Sequence, residues 1–551
     1  MRYLHDSAPA DERDKIQNIE NVADECYKLL RLLHRPRNQA TWALLTRMAL
    51  ELENRQQQYG ANKTLHRIAL VVLDRCVTGF KFIAEHSKPA SRLLQSYTWN
   101  GSLVADAEHA LLISKHYLDF VNVFPMWHKN HEEAELLADD RVRFHLPNDT
   151  ARQRQVIAYQ QGERPRGTHA DTPYMKRKET PAHITKILNA FYQTARPRGG
   201  TGKFTYKPTP ELIEALRPEY QERLDSNFRH PDSFLLNGYT LKEFKSFYIA
   251  LLILCAIHEY ICYPWNQPGQ PVPVSSLVMV KTRNAWLAEL QQISGLSAAL
   301  CQRIIADLTL NPLNKNASLC INPFVPLDQF SLAVAPQFPL GSAVDENILR
   351  TFSYLYPALF SAQNTEKDPA MKAAVRAANP GYHIEDSIEL PDKSTEIDIL
   401  LEDDASSSVV LAELKWIRKP NRVLERIDRE ADVAKGIRQL DLVRDYTRKH
   451  PDFLMQRGKL TKPLTAYTHV HYLLLVRDFW YWHQPQDAIA LLDFDAVLVA
   501  FKESTTLFQL VERMLTYDWL PVEGRDFTVM YSPSSVHGVT LESPLFKSTR
   551  P

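Results

Sequence analysis

Late in the chain, two acidic residues and a lysine interrupt otherwise apolar runs, and these are the residues best placed to do chemistry. Val409-Val410-Leu411-Ala412-Glu413-Leu414-Lys415-Trp416-Ile417 is nearly continuous in apolar character, the pattern of a strand buried on both faces. Because side chains alternate at period two, Glu413 and Lys415 point to the same side, about 6.5 to 7 Å apart along the strand. Buried charge is costly unless it is paired, coordinated or catalytic. The preceding run, Glu396 to Leu401, carries Asp398 in similar surroundings, and Glu402 to Ser408 reads as a turn. A hairpin closed there puts Asp398 opposite Ala412, within one residue of Glu413. Two converging carboxylates suit a hard, oxygen-seeking cation such as Mg²⁺, with Mn²⁺ as a substitute. The chemistry such a cluster serves is metal-assisted attack of water on a phosphodiester. A lone Glu-x-Lys is equally the mark of a plain ion pair at a strand end; Asp398 on the neighbouring strand is what separates the two readings.

At Asp398, Glu413 and Lys415, set on two adjacent strands and followed by a helix, the sequence resembles the PD-(D/E)-x-K nuclease superfamily, whose fold is restriction-endonuclease-like. The resemblance covers the carboxy-terminal part only. It implies that Asp398 and Glu413 hold the divalent metal and that Lys415 orients the attacking water and stabilises charge on the phosphate. The literal Pro-Asp dipeptide, Pro391-Asp392, is paired by hairpin symmetry with Arg418, beyond the lysine, so Asp398 is taken as the metal ligand. The family often adds a glutamate from the helix before the first strand, for which the chain offers Glu346 or Glu366; Glu346 is preferred because DENILRTF keeps it on a helix with Ile348, Leu349 and Phe352 for packing.

The run from Arg422 to about Tyr446 predicts a long amphipathic helix on which Lys435, Gln439 and Tyr446 share roughly one face. Several branches of the superfamily place a Gln and a Tyr on that helix beside the metal, which makes Gln439 a candidate catalytic residue, although the spacing to Tyr446 is longer than in the RecB-like branch. From Lys415 to His450 there are 11 Lys or Arg against 6 Asp or Glu, in a chain whose 65 basic and 65 acidic residues otherwise balance. This local excess favours a phosphate backbone as substrate, with Arg422, Arg426, Arg429 and Lys435 as contacts.

The elements that must position these groups follow from length and texture. A chain of 551 residues, 44% hydrophobic, has room for two to four domains and is neither disordered nor fibrous. Apolar residues at helical spacing predict a helical domain over 1–135, and breakers with Arg164, Arg166, Lys176, Arg177 and Lys178 predict a linker or mobile basic loop over 136–182. A second helical region is expected over 183–340. Over 341–551 helix, three strands (382–388, 396–401, 409–417), helix, and strands at 469–476 and 488–501 make an α/β pattern. The expected fold class is thus multidomain α + α/β, a helical amino-terminal region followed by a restriction-endonuclease-like mixed sheet flanked by helices.

Other motifs fail. Gly199-Gly200-Thr201-Gly202-Lys203 lacks the Walker spacing, His258-Glu259 with Cys262 has no second ligand pair at metal spacing, and no G-x-S-x-G elbow exists. The six cysteines, without a C-x-x-C pair, read as reduced core thiols. The amino terminus shows no apolar signal region, and the longest apolar run, Phe247 to Ile257, is too short to span a bilayer, so a cytoplasmic protein without membrane contact is expected. The resemblance implies an Mg²⁺-dependent nuclease acting on nucleic acid, DNA ahead of RNA, in bacterial defence or DNA repair, with self-association as a homodimer or a protein partner engaged through the helical region. The competing expectation is a non-enzymatic nucleic-acid-binding or assembly protein with a degenerate nuclease fold.

Overall fold

The structure, a computed structural model, describes residues 10–59, 63–90, 99–129, 132–146, 185–187, 189–191, 196–198, 203–228, 231–262, 274–314, 317–342, 348, 352–353, 355–363, 367–379, 381–392, 394–417, 423–477, 489–516 and 522–549. It is a mixed α/β protein. Helices α1 (Ala10–Asp24), α2 (Arg37–Tyr59), α3 (Lys63–Arg75), α4 (Thr78–His86) and α5 (Gly101–His128) open it and bury Trp42, Leu44, Phe80, Leu111 and Phe124 in one core. Asn100 caps α5 by accepting the Leu103 N–H at 3.0 Å, which satisfies one of the donors left open in a first helical turn.

The expected boundary at 135 and the linker beginning at 136 need correcting. β1 (Glu133–Ala138) and β2 (Arg141–His145) form an antiparallel hairpin there, and β2 pairs in parallel with the carboxy-terminal strand β14 (Val539–Ser548). With β13 (Phe527–Val536), the antiparallel partner of β14, they form a sheet of order β1-β2-β14-β13. Val142, Phe144, Val539 and Leu541 join the core of the amino-terminal helices. The end of the expected 341–551 domain therefore packs with the start of the chain, a pairing across nearly the whole sequence that local pattern cannot reveal. The basic stretch Arg164 to Lys178 lies outside the described residues.

The expected second helical region also contains strands. The short hairpin β3 (Arg196–Arg198) and β4 (Lys203–Thr205) flanks the glycine run at 199–202, itself outside the described residues, so strands stand on both sides where a P-loop would need a following helix. Helices α6 (Pro210–Asn227) and α7 (Leu241–Cys262) pack on α8 (Arg283–Ser294) and α9 (Ala298–Asp307), and β5 (Met279–Thr282), β6 (Val325–Pro326) and β7 (Ser331–Val334) form an antiparallel sheet of order β5-β7-β6. Among the described residues α7 is the one helix long and apolar enough to cross a membrane, so the length argument drawn from Phe247 to Ile257 does not hold for the whole helix. Its most apolar window is 83% buried inside the protein, which is what a central core helix requires.

The remaining unit is a five-stranded mixed sheet of order β12-β11-β10-β9-β8, comprising β8 (His383–Glu389), β9 (Glu396–Asp403), β10 (Ser408–Trp416), β11 (His469–Arg477) and β12 (Ala490–Asp493). β8, β9 and β10 run antiparallel in succession; β11 joins β10, and β12 joins β11, in parallel. The parallel pair β10 and β11 needs a crossover, supplied by α11 (Val423–Lys449), which covers one face through Val433, Ile437, Leu440 and Val443. The other face carries α10 (Lys367–Ala378), α12 (Phe494–Glu503) and α13 (Leu507–Leu515). The expected strand at 488–501 is corrected here: Asp493 ends β12 and caps α12, accepting the Ala496 N–H at 2.6 Å, so the apolar run turns from strand to helix.

α11 can lie close to the sheet because Gly436 faces it: a Cβ there would stand 2.8 Å from Leu474 Cδ1 and 3.2 Å from Lys415 Cε. Gly436→Val should therefore overpack this contact and lower stability by about 1–3 kcal/mol in urea unfolding. Unchanged stability would show that α11 does not hold Lys415 in place.

Candidate functional site

The site lies where β9 leaves β10. The strands pair from Asp403 opposite Ser408 to Ile399 opposite Ala412. Asp398 thus stands level with Glu413, a correction of one residue to the hairpin expected from sequence, because both strands run up to a turn confined to 404–407 in which Ser407 takes φ 49°. The Asp398 carboxylate folds back towards β10, where Oδ2 accepts the Leu414 N–H at 2.7 Å just past the end of the ladder. Glu413 and Lys415 share the α11 side of the strand, and Lys415 Nζ donates to Glu413 Oε1. Asp398 is 5% exposed and Glu413 2%.

A fourth charge comes from α10, on the opposite face. Lys372 Nζ lies 3.9 Å from Asp398 Oδ1 and donates to Ser387 Oγ at 2.8 Å. Sequence reading missed Lys372. Its only sequence signal is a lysine on an apolar helix next to Met371 and near Val375, both of which pack in the core.

Electrostatics separates Glu413 from the two carboxylates beside the turn. Burial, followed by the Asp398 carboxylate, pushes the Glu413 carboxyl up to about 7, against the pull of Lys415. Burial also acts on Glu402 and Asp403, but hydrogen bonds outweigh it: Thr461 and Tyr467 donate to Glu402, and Ser406 and the Leu507 N–H to Asp403, leaving both groups below their ordinary range. Those two carboxylates tie the turn to its surroundings. Glu413, in contrast, is pushed towards its neutral form by burial and the neighbouring carboxylate.

The other sequence candidates are distributed around this centre. Pro391-Asp392 sits in the exposed turn between β8 and β9, where Asp392 Oδ1 accepts from Ser394 N and Oγ. Gln439 reaches the residue before β9, its Nε2 3.4 Å from Thr395 Oγ1, while its buried Oε1 has no hydrogen-bond partner among the described residues. Lys435 is exposed, and Tyr446 packs on Phe453 and His450 instead, so the three do not act from one place. Arg429 on α11 pairs with Asp432 at 3.4 Å. Arg426 is on α11, with its side chain outside the description, and Glu346, Glu366 and Arg422 lie outside the described residues. His258 is a satisfied core histidine, bonded to Tyr206 Oη at 2.8 Å and to the Ser276 carbonyl at 2.7 Å.

Among the described residues no three His, Cys, Asp or Glu side chains gather as a metal cage. Magnesium does not need one: it is commonly held by one or two carboxylates, with waters and substrate phosphates completing the shell. The Asp398–Glu413 pair has the hard oxygen donors for that. Comparison with protein-family models, with curated proteins and with solved structures finds no match to the chain.

The upward shift of Glu413 has a measurable consequence in the metal-free protein. A group protonated more readily in the folded than in the unfolded chain stabilises the fold at low pH and loses that contribution as pH rises from its ordinary value, 4.5, through about 7. With a chelator present, Glu413→Gln should flatten the fall in stability over that window in denaturant titrations. The same slope in both proteins would mean that Glu413 ionises freely.

Proposed function

We propose that the chain is a metal-dependent nuclease that hydrolyses nucleic-acid phosphodiesters, DNA ahead of RNA, with a helical amino-terminal region joined to a restriction-endonuclease-like sheet. The observation that carries this reading is the convergence of Asp398, Glu413 and Lys415 at one end of adjacent strands β9 and β10, inside a sheet whose order and helical cover suit that fold. Asp398 and Glu413 would hold Mg²⁺ or Mn²⁺, which supplies charge stabilisation and an activated water. Lys415, with its stem against α11 at Gly436 and its ammonium at Glu413, opposes the charge that develops on the attacked phosphate. Gln439, whose Nε2 approaches Thr395 Oγ1 just before β9, would border the site from α11. Arg422, Arg426, Arg429 and Lys435, from the basic segment of the sequence, would contact the phosphate backbone.

One observation favours a second reading. Each of the two carboxylates already has a lysine beside it, as a purely structural charge cluster would. On that reading the chain binds nucleic acid or a partner without cutting.

Cleavage of plasmid and linear DNA in Mg²⁺, with an EDTA control, separates the two. Glu413→Ala should abolish cleavage, and Lys415→Met, which keeps the aliphatic stem, should slow it by about 10² to 10³, the usual scale for removing one preorganised charge. Lys415→Arg should rescue poorly, because a planar guanidinium does not replace a compact ammonium. Wild-type rates in Glu413→Ala and Lys415→Met, or binding with no metal-dependent cleavage in the wild type, favour the second reading.

A further inference from the structure

We propose that Lys372 makes the carboxylate pair electrically balanced, so that the divalent cation binds weakly by itself and loads together with a phosphodiester. The inference rests on the nuclease reading and adds an order of binding to it. With both carboxylates ionised, as cation binding requires, one lysine alone would leave a net negative charge that draws in a dication unaided. Here a second ammonium arrives from the other side of the sheet: Lys415 contacts Glu413 from the α11 face, and Lys372 stands 3.9 Å from Asp398 Oδ1 from the α10 face. The Lys372 side chain is 12% exposed, with its ammonium bonded to the exposed Ser387, so water screens this charge only in part. A third carboxylate, Glu396, half-buried at the start of β9, acts more weakly on Glu413, so the balance is that of the inner pair and its two lysines.

The seat of Lys372 is built at the level of Asp398. β8 pairs with β9 through Asp386 opposite Ile399 and Ile388 opposite Ile397, leaving Ser387 out of the ladder beside Asp398. Ser387 takes φ 55°, a left-handed conformation unfavourable for serine, and its Oγ accepts from Lys372 Nζ at 2.8 Å. A strained residue thus holds the ammonium 3.9 Å from the carboxylate. A cation entering this cluster must push the ammoniums away from their carboxylates, at an electrostatic cost. A phosphodiester arriving with it brings a negative charge that gives the displaced ammoniums a new partner, and no bond is made or broken in the exchange.

Mn²⁺ binding to the full chain, read from the loss of the free-ion electron paramagnetic resonance signal, tests this with and without a short phosphorothioate DNA duplex. The duplex should tighten Mn²⁺ binding to the wild type about tenfold or more. Lys372→Met should bind Mn²⁺ about tenfold more tightly than the wild type without duplex, and gain little from adding it, since a like charge close to the ion has been removed. Lys372→Arg should behave as the wild type, and Ser387→Ala should move partway towards Lys372→Met without altering any charge. Mn²⁺ affinity in Lys372→Met equal to or below that of the wild type, or a Ser387→Ala variant indistinguishable from it, would overturn the proposal. Asp398→Asn locates the failure: if it abolishes Mn²⁺ binding while Lys372→Met changes nothing, only the role of Lys372 falls. Mn²⁺ affinity unmoved by Asp398→Asn removes the metal site, and the nuclease reading with it.

Discussion

Asp398 and Glu413 are held side by side in an interior that would rather hold neither charge. The β9–β10 register forces their proximity: once Ile399 lies opposite Ala412, the next step brings the two carboxylates level. Everything around them offsets that crowding. The Leu414 N–H takes one oxygen of Asp398, Lys415 reaches Glu413, Lys372 approaches Asp398 from the opposite layer, and the glutamate itself retains its proton towards neutral pH. A fold optimised only for stability would place an apolar pair here, as it does at the three preceding pairs, Ile399–Ala412, Leu400–Leu411 and Leu401–Val410.

The layers on either side of the sheet serve this end of it. α11, the crossover between parallel strands, is admitted closely by Gly436, which sets its backbone over Lys415 and Leu474. α10 is tied to β8 by Lys372 and by the Arg376–Asp386 ion pair, so it cannot slide without disturbing Asp398. At the far end of β9, Glu402 and Asp403 are bonded to Thr461, Tyr467 and the amino terminus of α13, which anchors the turn and hence the register. On β9, Glu402 and Asp403 beside the turn are thus held by hydrogen bonds, while Asp398 towards the other end has a lysine near it as well as the Leu414 N–H.

Much of this was legible in the sequence, because the signals were local. Apolar runs broken by Glu413, Lys415 and Asp398, with a serine-rich turn between, specify a hairpin, and the 27-residue helix that follows is written in its periodicity. Register was not fixed to the residue, since the length of a turn depends on backbone choices such as the positive φ of Ser407, which composition does not encode. Lys372 was invisible because its role comes from a helix packed on the far face, with Ser387 as an intermediary. The β2–β14 pairing was equally hidden: Val142 and Leu541 face the same core from opposite ends of the chain, and alternation says nothing about which strand a strand will meet.

The central claim is that Asp398 and Glu413 form a cation site facing a phosphodiester, and anomalous scattering from crystals grown with Mn²⁺ and a short DNA duplex tests it most directly. The account predicts one strong anomalous peak bonded at about 2 to 2.3 Å to oxygens of both carboxylates, with Lys415 Nζ turned from Glu413 towards a phosphate oxygen. Density with Lys415 still on Glu413, Lys372 still on Asp398, and no anomalous peak between the carboxylates would contradict it and leave a charge cluster whose work is structural.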